Sequence, residues 1–270
     1  MAALLGWVSA ASAQLQLVPD AAPPMVFGGG ARTIALRWRN SGSEITNAEI
    51  RARMFQTSSA TAVSLGEMPW KNLSVLPGQT VLESARLEFP AVNAETKFFV
   101  RWMGGTNSIL GKTEVLVFPT NLLGELKPLL DGEPLGLLDL GNELKPALKQ
   151  CGVELVDFAE TAMEDFSGKL AIIRPFQSKA QMRDGLAEQI KALAKKNVAV
   201  VCFLPPPEKR ERLAPSFYSV AVGTNVVMVA QADLVFNLPE NPQAQLNLIY
   251  LCKLALKPTA FSLPNLTQQP

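Results

Sequence analysis

Polar residues that follow predicted strands in the second half of the chain are its best candidates for binding a ligand. In an open sheet of parallel strands, ligands bind at the carboxyl ends of the strands, where loops and helix N-termini converge. An acid, an amide and an arginine in such a crevice could hold a sugar or a carboxylate. The candidates at these positions are Asp139, Asn142, Arg174, Gln177 and Glu208.

The same residues also have structural roles open to them. Asp139 or Asn142 can cap the helix that follows the first strand of this half, and Arg174 can pair with a nearby acid. We favour this structural interpretation, and a ligand site is the alternative.

One aromatic residue, Trp70, is a further candidate for binding. It lies in Met68-Pro69-Trp70-Lys71, a stretch that is typical of a turn. An exposed indole there could stack on a sugar ring or anchor a protein contact. The favoured alternative is that the ring folds back over the edge of a sheet.

Catalytic groups are harder to find than binding groups. The 270 residues include no histidine, which excludes Ser-His-Asp and Cys-His catalysis and imidazole metal ligands. No glycine-rich phosphate loop follows the first strand of the second half. We therefore predict a protein that is not an enzyme, with no catalytic residue, no metal and no cofactor. The net charge of +1 argues against a nucleic-acid partner.

The N-terminus has features of an export signal. An apolar run, Ala2–Ser9, precedes Ala11-Ser12-Ala13, and signal peptidase accepts small residues at this spacing, so cleavage is predicted after Ala13. No lysine or arginine precedes the run, which indicates a true start upstream of Met1; the alternative is an ordinary first strand or tail. No later segment approaches the ~20 apolar residues that span a bilayer. We expect a periplasmic or secreted protein without a transmembrane segment in the mature chain.

Residues 15 to 118 alternate between apolar and polar side chains. In Thr33–Arg39, for example, Ile34, Leu36 and Trp38 alternate with arginines and other outward-facing residues. This period of two is typical of antiparallel strands that pack one face on a second sheet. About seven short strands in this stretch predict an all-β sandwich.

Two turns in this half carry a resemblance. A strand that ends in Asn40-Ser41-Gly42-Ser43, followed later by Leu76-Pro77-Gly78-Gln79 before another strand, resembles bacterial extracellular immunoglobulin-like modules of the fibronectin type III or adhesion-related kind. The resemblance implies a fold and no activity.

From Pro134 onward, strands alternate with helices. Gln181–Lys196 has the stripe of an amphipathic helix, and Pro242–Leu256 has apolar residues spaced for burial on a last helix. Val198–Leu204 is a continuous apolar run, as expected of a central parallel strand covered on both faces. The pattern predicts a doubly wound, flavodoxin-like α/β domain.

This half resembles the flavodoxin-type domains of class I glutamine amidotransferases. The resemblance rests on the order of elements and on Gly223-Thr224-Asn225-Val226-Val227-Met228-Val229, followed by Asn241-Pro242-Gln243-Ala244-Gln245-Leu246. Catalytic members place a cysteine between glycines after a central strand. Here Cys202 lies in Val-Val-Cys-Phe-Leu without flanking glycines, so the resemblance implies a degenerate domain, and we expect Cys202 to be a structural residue.

The other cysteines leave two alternatives open. Cys151, Cys202 and Cys252 all have apolar neighbours and can be small buried hydrophobic residues, or Cys151 can form a disulfide with Cys202.

These patterns predict five segments. They are a signal-peptide remnant (1–13), a β-sandwich (14–120), a linker (121–133), an α/β domain (134–258) and a C-terminal tail (259–270). The favoured function is an exported, non-catalytic structural or interaction protein of the bacterial envelope, with an envelope protein as partner. The alternative is a carbohydrate-binding or glycoside-hydrolase accessory module, with a glycan as ligand.

Overall fold

The chain divides into two compact units, Met1–Thr120 and Asn121–Pro270. A computed structural model describes residues 15–58, 60–105, 108–174, 185–205, 216–223 and 225–257. The predicted signal peptide and C-terminal tail lie outside these residues. Nothing in the fold or the comparisons below supports a signal peptide or secretion, and the predicted compartment stays a prediction.

The described part of the first unit is built from strands alone. In chain order they are β1 (Leu15–Val18), β2 (Met25–Phe27), β3 (Gly30–Asn40), β4 (Thr46–Thr57), β5 (Ala62–Val75), β6 (Thr80–Phe89), β7 (Thr96–Gly104) and β8 (Ser108–Phe118).

These strands form two sheets around one core. A three-stranded antiparallel sheet has the order β1-β3-β6, and a five-stranded sheet has the order β2-β8-β7-β4-β5. The predicted alternation is confirmed in β3, where Ile34, Leu36 and Trp38 are buried between exposed residues. Apolar side chains on alternate positions are therefore what hold this unit together.

The immunoglobulin-like sandwich predicted for this unit is wrong. The five-stranded sheet is mixed, because β2 pairs with the last strand β8 in parallel, with Val26 opposite Val117. The predicted fold has only antiparallel pairs. Alternation along a strand reports which face is buried and carries no information on the direction of its neighbour, so the sequence pattern could not show this pairing.

The second unit mixes strands with short helices. Its strands are β9 (Leu135–Asp139), β10 (Leu155–Asp157), β11 (Leu170–Arg174), β12 (Ala199–Leu204), β13 (Phe217–Val222) and β14 (Asn225–Gln231). Its α-helices are α1 (Leu126–Leu130), α2 (Lys145–Gln150), α3 (Leu186–Lys195) and α4 (Pro242–Leu256). In the described part of this unit, three 3₁₀ helices span Leu122–Glu125, Met163–Asp165 and Ala232–Val235.

The six strands described in the second unit form one sheet in the order β10-β9-β11-β12-β14-β13. All pairs are parallel except the last, in which β13 runs antiparallel to β14. The apolar run of β12 is a central strand as predicted, with Val200, Val201 and Phe203 fully buried. The helix predicted at Pro242–Leu256 is confirmed with the same bounds.

The doubly wound, flavodoxin-like domain predicted for this half is wrong. Its sheet is mixed, and the whole chain is predominantly β, with 48% of the described residues in strands and 21% in helices. Only α3 and α4 among the described helices reach ten residues. The amidotransferase resemblance rested in part on the segment 223–229, whose residues from Asn225 onward lie in β14. This strand pairs antiparallel with β13, with Val222 opposite Asn225, and Gly223 at the connection has a positive φ of 64°.

The segment predicted as a linker, 121–133, belongs to the second unit. It contains the 3₁₀ helix Leu122–Glu125 and α1, and Leu123 and Leu126 in it are fully buried.

None of the described helices is long and apolar enough to cross a membrane.

Candidate functional site

The carboxyl edge of the parallel strands brings together three charged residues of the second unit. Asp139 is the last residue of β9, Asp157 the last of β10 and Arg174 the last of β11, and Arg174 faces Asp139 in the register of the sheet. The predicted candidates Gln177 and Glu208 lie outside the described residues.

Asp139 caps the start of α2. Its Oδ2 accepts hydrogen bonds from the backbone N–H groups of Leu144 at 2.7 Å and Lys145 at 2.9 Å. These are two of the N–H groups that a helix leaves unpaired at its start, and a carboxylate there also complements the helix dipole. The other oxygen, Oδ1, is buried and accepts no hydrogen bond from the described residues.

Asn142 has a different role from Asp139. It lies in the turn after β9 with a positive φ of 51°, and its backbone N–H donates to the carbonyl of Asp139 at 3.0 Å. Asparagine tolerates this left-handed conformation better than most residues. Its side chain is exposed, and the hydrogen bonds that cap α2 go to Asp139.

Arg174 pairs with an acid, as the structural interpretation predicted. Its guanidinium forms a salt bridge with Glu143, and the Arg174 side chain is only 12% exposed. A guanidinium that is nearly buried needs such a partner, since an unpaired charge there would be costly. Glu143 was not singled out from the sequence, although its place just after β9, on the loop beside Asp139 and Asn142, was a usable signal.

A second ion pair lies on the same edge and was missed in the sequence. Lys145 Nζ donates to Asp157 Oδ2, which joins the first residue of α2 to the end of β10. The hydrogen bond from Lys145, with a second from the backbone N–H of Ala159, lowers the pKa of Asp157. The same contact with Asp157 raises the pKa of Lys145. Both groups are therefore held in their charged forms.

This set of residues, which we call the edge cluster, consists of Asp139, Glu143, Lys145, Asp157 and Arg174. Each basic member is paired with an acidic one, and Asp139 is paired with backbone N–H groups. These contacts connect β9, the loop after it, α2, β10 and β11, so the role that they show is structural. No group of three or more potential metal ligands occurs in the part of the chain that the structure describes.

Trp70 does not lie in a turn, as the sequence suggested, but within β5. Its ring stacks on Trp38, with centroids 5.9 Å apart and planes 25° from parallel, and meets Trp102 at 5.1 Å and 62°. Trp102 in turn donates from Nε1 to Thr113 Oγ1 at 2.9 Å. The Trp70 ring is half-buried and packs against the core of the first unit, as the structural alternative held.

The three cysteines are free thiols, so the Cys151–Cys202 disulfide is absent. Burial raises the pKa of the Cys202 thiol to about 11 and that of Cys252 to about 12. Cys151 is half-buried, and burial also raises its pKa. Since the thiolate is the reactive form, neither of the two buried thiols is activated.

A cavity of about 580 Å³ opens beside α4 in the second unit. Its walls are mostly apolar, with Leu129, Tyr250 and Leu254 among them, and Lys253 and Lys257 also line it. Lys253 is paired with Glu125 at 3.0 Å. The described residues that line the cavity include neither an acid–base pair nor any predicted candidate.

Neither a protein-family model nor a curated protein sequence matches the chain. Among solved structures, it is similar to Pseudomonas fluorescens alkylpurine DNA glycosylase AlkC, at 10% identity over 40% of this chain and 31% of that one, with a TM-score of 0.31. It is also similar to the sporulation control protein Spo0M of Bacillus subtilis, at 8% identity over 44% of this chain and 56% of that one, with a TM-score of 0.30.

A third structure is a Niemann-Pick type C2 protein from Japanese carpenter ant. It matches at 9% identity over 35% of this chain and 78% of that one, with a TM-score of 0.27. Similarities this low support no conclusion on fold or function.

Proposed function

We propose that this chain is a non-catalytic interaction protein, which acts by binding another macromolecule and does not turn over a substrate. The observation that carries the proposal is the edge cluster. At the place where an open sheet most often holds a ligand, the described charged side chains are already paired with one another or with backbone.

Such pairing is poorly suited to acid–base catalysis. A general acid or base works best when its pKa lies near the working pH and when it can reach the substrate. Asp157 has its pKa moved away from that range by Lys145, and Asp139 Oδ2 is occupied by two N–H donors. Nucleophilic catalysis fares no better, because Cys202 and Cys252 are buried and the sequence has no histidine to activate a thiol.

The alternative function, a carbohydrate-binding module, relied on Trp70 as the aromatic ring on which a sugar would stack. A sugar stacks on the open face of an indole, but Trp70 stacks on Trp38 and touches Trp102. No specific observation favours that function, so we do not propose it. The envelope partner predicted from the sequence stays a prediction.

The first experiment looks for turnover. The purified chain, Asp139→Asn and Arg174→Met are incubated with model substrates for ester, amide, phosphate and glycoside cleavage. We expect no reaction above buffer for any of the three proteins. Turnover by the wild type that Arg174→Met abolishes, while far-ultraviolet circular dichroism shows an unchanged fold, would overturn the proposal.

The second experiment looks for binding. Wild type and Arg174→Met serve as baits in extracts of the source cells, followed by cross-linking and mass spectrometry. An interaction protein whose edge cluster is structural should enrich the same protein with both baits, provided that both are folded. Failure of the wild type to enrich any protein over an unrelated bait of equal size counts against the proposal.

A further inference from the structure

Among the described residues, the strand β13 is an open edge of the six-stranded sheet. It pairs on one side with β14 over its full length, from Phe217 opposite Ala230 to Val222 opposite Asn225, without a register shift. On its other side, no strand among the described residues pairs with it. Its outward N–H and C=O groups therefore form a regular row that another strand can use.

Every other sheet edge in the described residues carries a feature that hinders pairing. The strands β1, β2 and β10 have only three or four residues. The long edge strand β5 contains Pro69, which has no N–H, and its pairing with β4 shifts register twice. The edge strand β6 carries Glu83, Arg86 and Glu88. Proteins use these devices to keep edges unpaired.

β13 has none of these devices. Its six residues, Phe-Tyr-Ser-Val-Ala-Val, include no charge, no proline and no glycine. Tyr218 and Val220 are 44% and 42% exposed on one face, and Ser219 and Ala221 are exposed on the other. The strand is anchored at both ends, because the Phe217 ring meets Tyr250 of α4 at 6.2 Å and Val222 packs on the core beneath α3. Among the described residues, β13 is therefore an apolar edge without these protective features.

We propose that β13 pairs antiparallel with β13 of a second copy of this chain, so that the sheet continues across a twofold axis. The inference rests on the proposed function and names its partner. An antiparallel twofold pair has its axis perpendicular to the sheet, so each face stays continuous and residues of the same parity face each other.

The sequence of β13 suits this self-pairing. With Ser219 opposite Ser219 of the second copy, Tyr218 faces Val220 of the second copy twice, and Phe217 faces Ala221 of the second copy twice. Aromatic and β-branched side chains are favourable cross-strand neighbours, and no like charges meet because the strand has none. A partner rich in charge would find nothing on this strand to recognise, which favours a second copy over a charged peptide.

The association should be weak. In this register five residues of each β13 are paired. Such an interface lies below the ~1,200 Å² typical of stable complexes, so the monomer and dimer should interconvert with concentration. Sedimentation velocity from about 1 to 200 µM should show the mean mass rising from one chain toward two. Val220→Lys places a charge in the pairing edge and should keep the chain monomeric across this range.

The matched control is Val63→Lys, which makes the same change at an exposed position of the protected edge strand β5. It should associate like the wild type. If Val220→Lys has a different melting temperature from the wild type, its loss of association could come from a change in folding. The disulfide experiment below then tests the pairing of β13 without this variant. If the wild type stays monomeric over the whole concentration range, the proposed pairing of β13 is wrong, but the proposed function is unaffected. If the wild type turns over a substrate in the assays above, the proposed function is wrong, but the pairing is unaffected.

A disulfide experiment tests the register. In the proposed pairing, Ser219→Cys places two thiols directly opposite each other, so mild oxidation should give a cross-linked dimer on a non-reducing gel. Ala221→Cys faces Phe217 of the second copy and should cross-link no more than the wild type, whose three native cysteines set the background. Association that persists in Val220→Lys, with no extra cross-link from Ser219→Cys, would place the contact elsewhere and overturn the proposal.

Discussion

At the residue scale, the two fully buried tryptophans of the first unit differ by one hydrogen bond. Trp102 donates from Nε1 to Thr113 Oγ1 at 2.9 Å, and Thr113 is itself buried. Trp38 is equally buried, but its Nε1 has no hydrogen-bond partner among the described residues. Their rings meet edge to face at 6.0 Å, so the two residues share one environment.

This difference predicts unequal costs for the same substitution. Trp102→Phe leaves the Thr113 hydroxyl buried without its donor and should lower the free energy of unfolding by about 1–3 kcal/mol more than Trp38→Phe does. Urea unfolding followed by circular dichroism measures both. Adding Thr113→Val to Trp102→Phe should recover part of the loss, and equal costs for the two single variants would contradict the argument.

The buried thiols give a second prediction at this scale. At a pH of ~8, a thiol reagent should label the half-buried Cys151 faster than the two buried thiols. It should reach Cys202 and Cys252 only after unfolding, since burial suppresses their thiolates. Cys202→Ala should cost about 1 kcal/mol of stability. Rapid labelling of Cys202 in the native protein would show that the site is open.

The same burial links stability to alkaline pH. In the unfolded chain a thiol loses its proton near its ordinary pKa of 9.0, whereas folded Cys202 keeps its proton until about 11. The unfolded state thus binds fewer protons above this ordinary pKa, and stability falls as pH rises through this window. We expect the melting temperature of Cys202→Ala to fall less than that of the wild type between pH values of about 9 and 11.

At the scale of elements, the sequence predicted most strands and the main helices. This was possible because the spacing of apolar residues within each element shows which of its side chains are buried. The alternation in β3, the apolar run of β12 and the spacing in α4 all follow from which side chains must leave water. What failed was the arrangement of elements relative to one another. The parallel pairing of β2 and the hairpin that reverses β13 depend on partners far along the chain or on one turn, and neither changes a strand's own pattern.

The candidate site shows the same division. The sequence placed Asp139 and Arg174 at strand ends, where the structure has them. It could not pair Lys145 with Asp157, because the two residues meet only once α2 and β10 are positioned. Trp70 was misplaced in a turn because Pro69 is typical of turns, but proline is also tolerated on an edge strand.

The pairing of α2 with β10 predicts an acid-sensitive contact. Asp157 has a lower pKa in the fold than its ordinary 3.8, so its stabilising contribution is present above that value and is lost as pH falls through the folded pKa. Asp157→Asn should therefore flatten the loss of stability below a pH of about 4. Thermal melts at several acidic pH values measure this, with the exposed Asp165→Asn as control. An equal effect of both variants would contradict the pairing.

At the scale of the whole molecule, each unit has a hydrophobic core of its own. The core of the first unit consists of buried apolar residues from strands between Leu15 and Val117, and Trp38, Phe98 and Trp102 are among them. A separate cluster in the second unit joins α3 to β11, β12 and β14. A chain segment that buries its own apolar face in this way has the main requirement for folding alone.

We therefore predict that residues 15–120, expressed alone, fold. All four tryptophans of the chain precede residue 103, so tryptophan fluorescence reports on the first unit and is silent on the second. In urea, the isolated segment should unfold in one cooperative transition, with fluorescence and far-ultraviolet circular dichroism changing together. Val100→Asp, which buries a charge in this core, should abolish the transition. A wild-type segment without a cooperative transition would show that its core is completed by the rest of the chain.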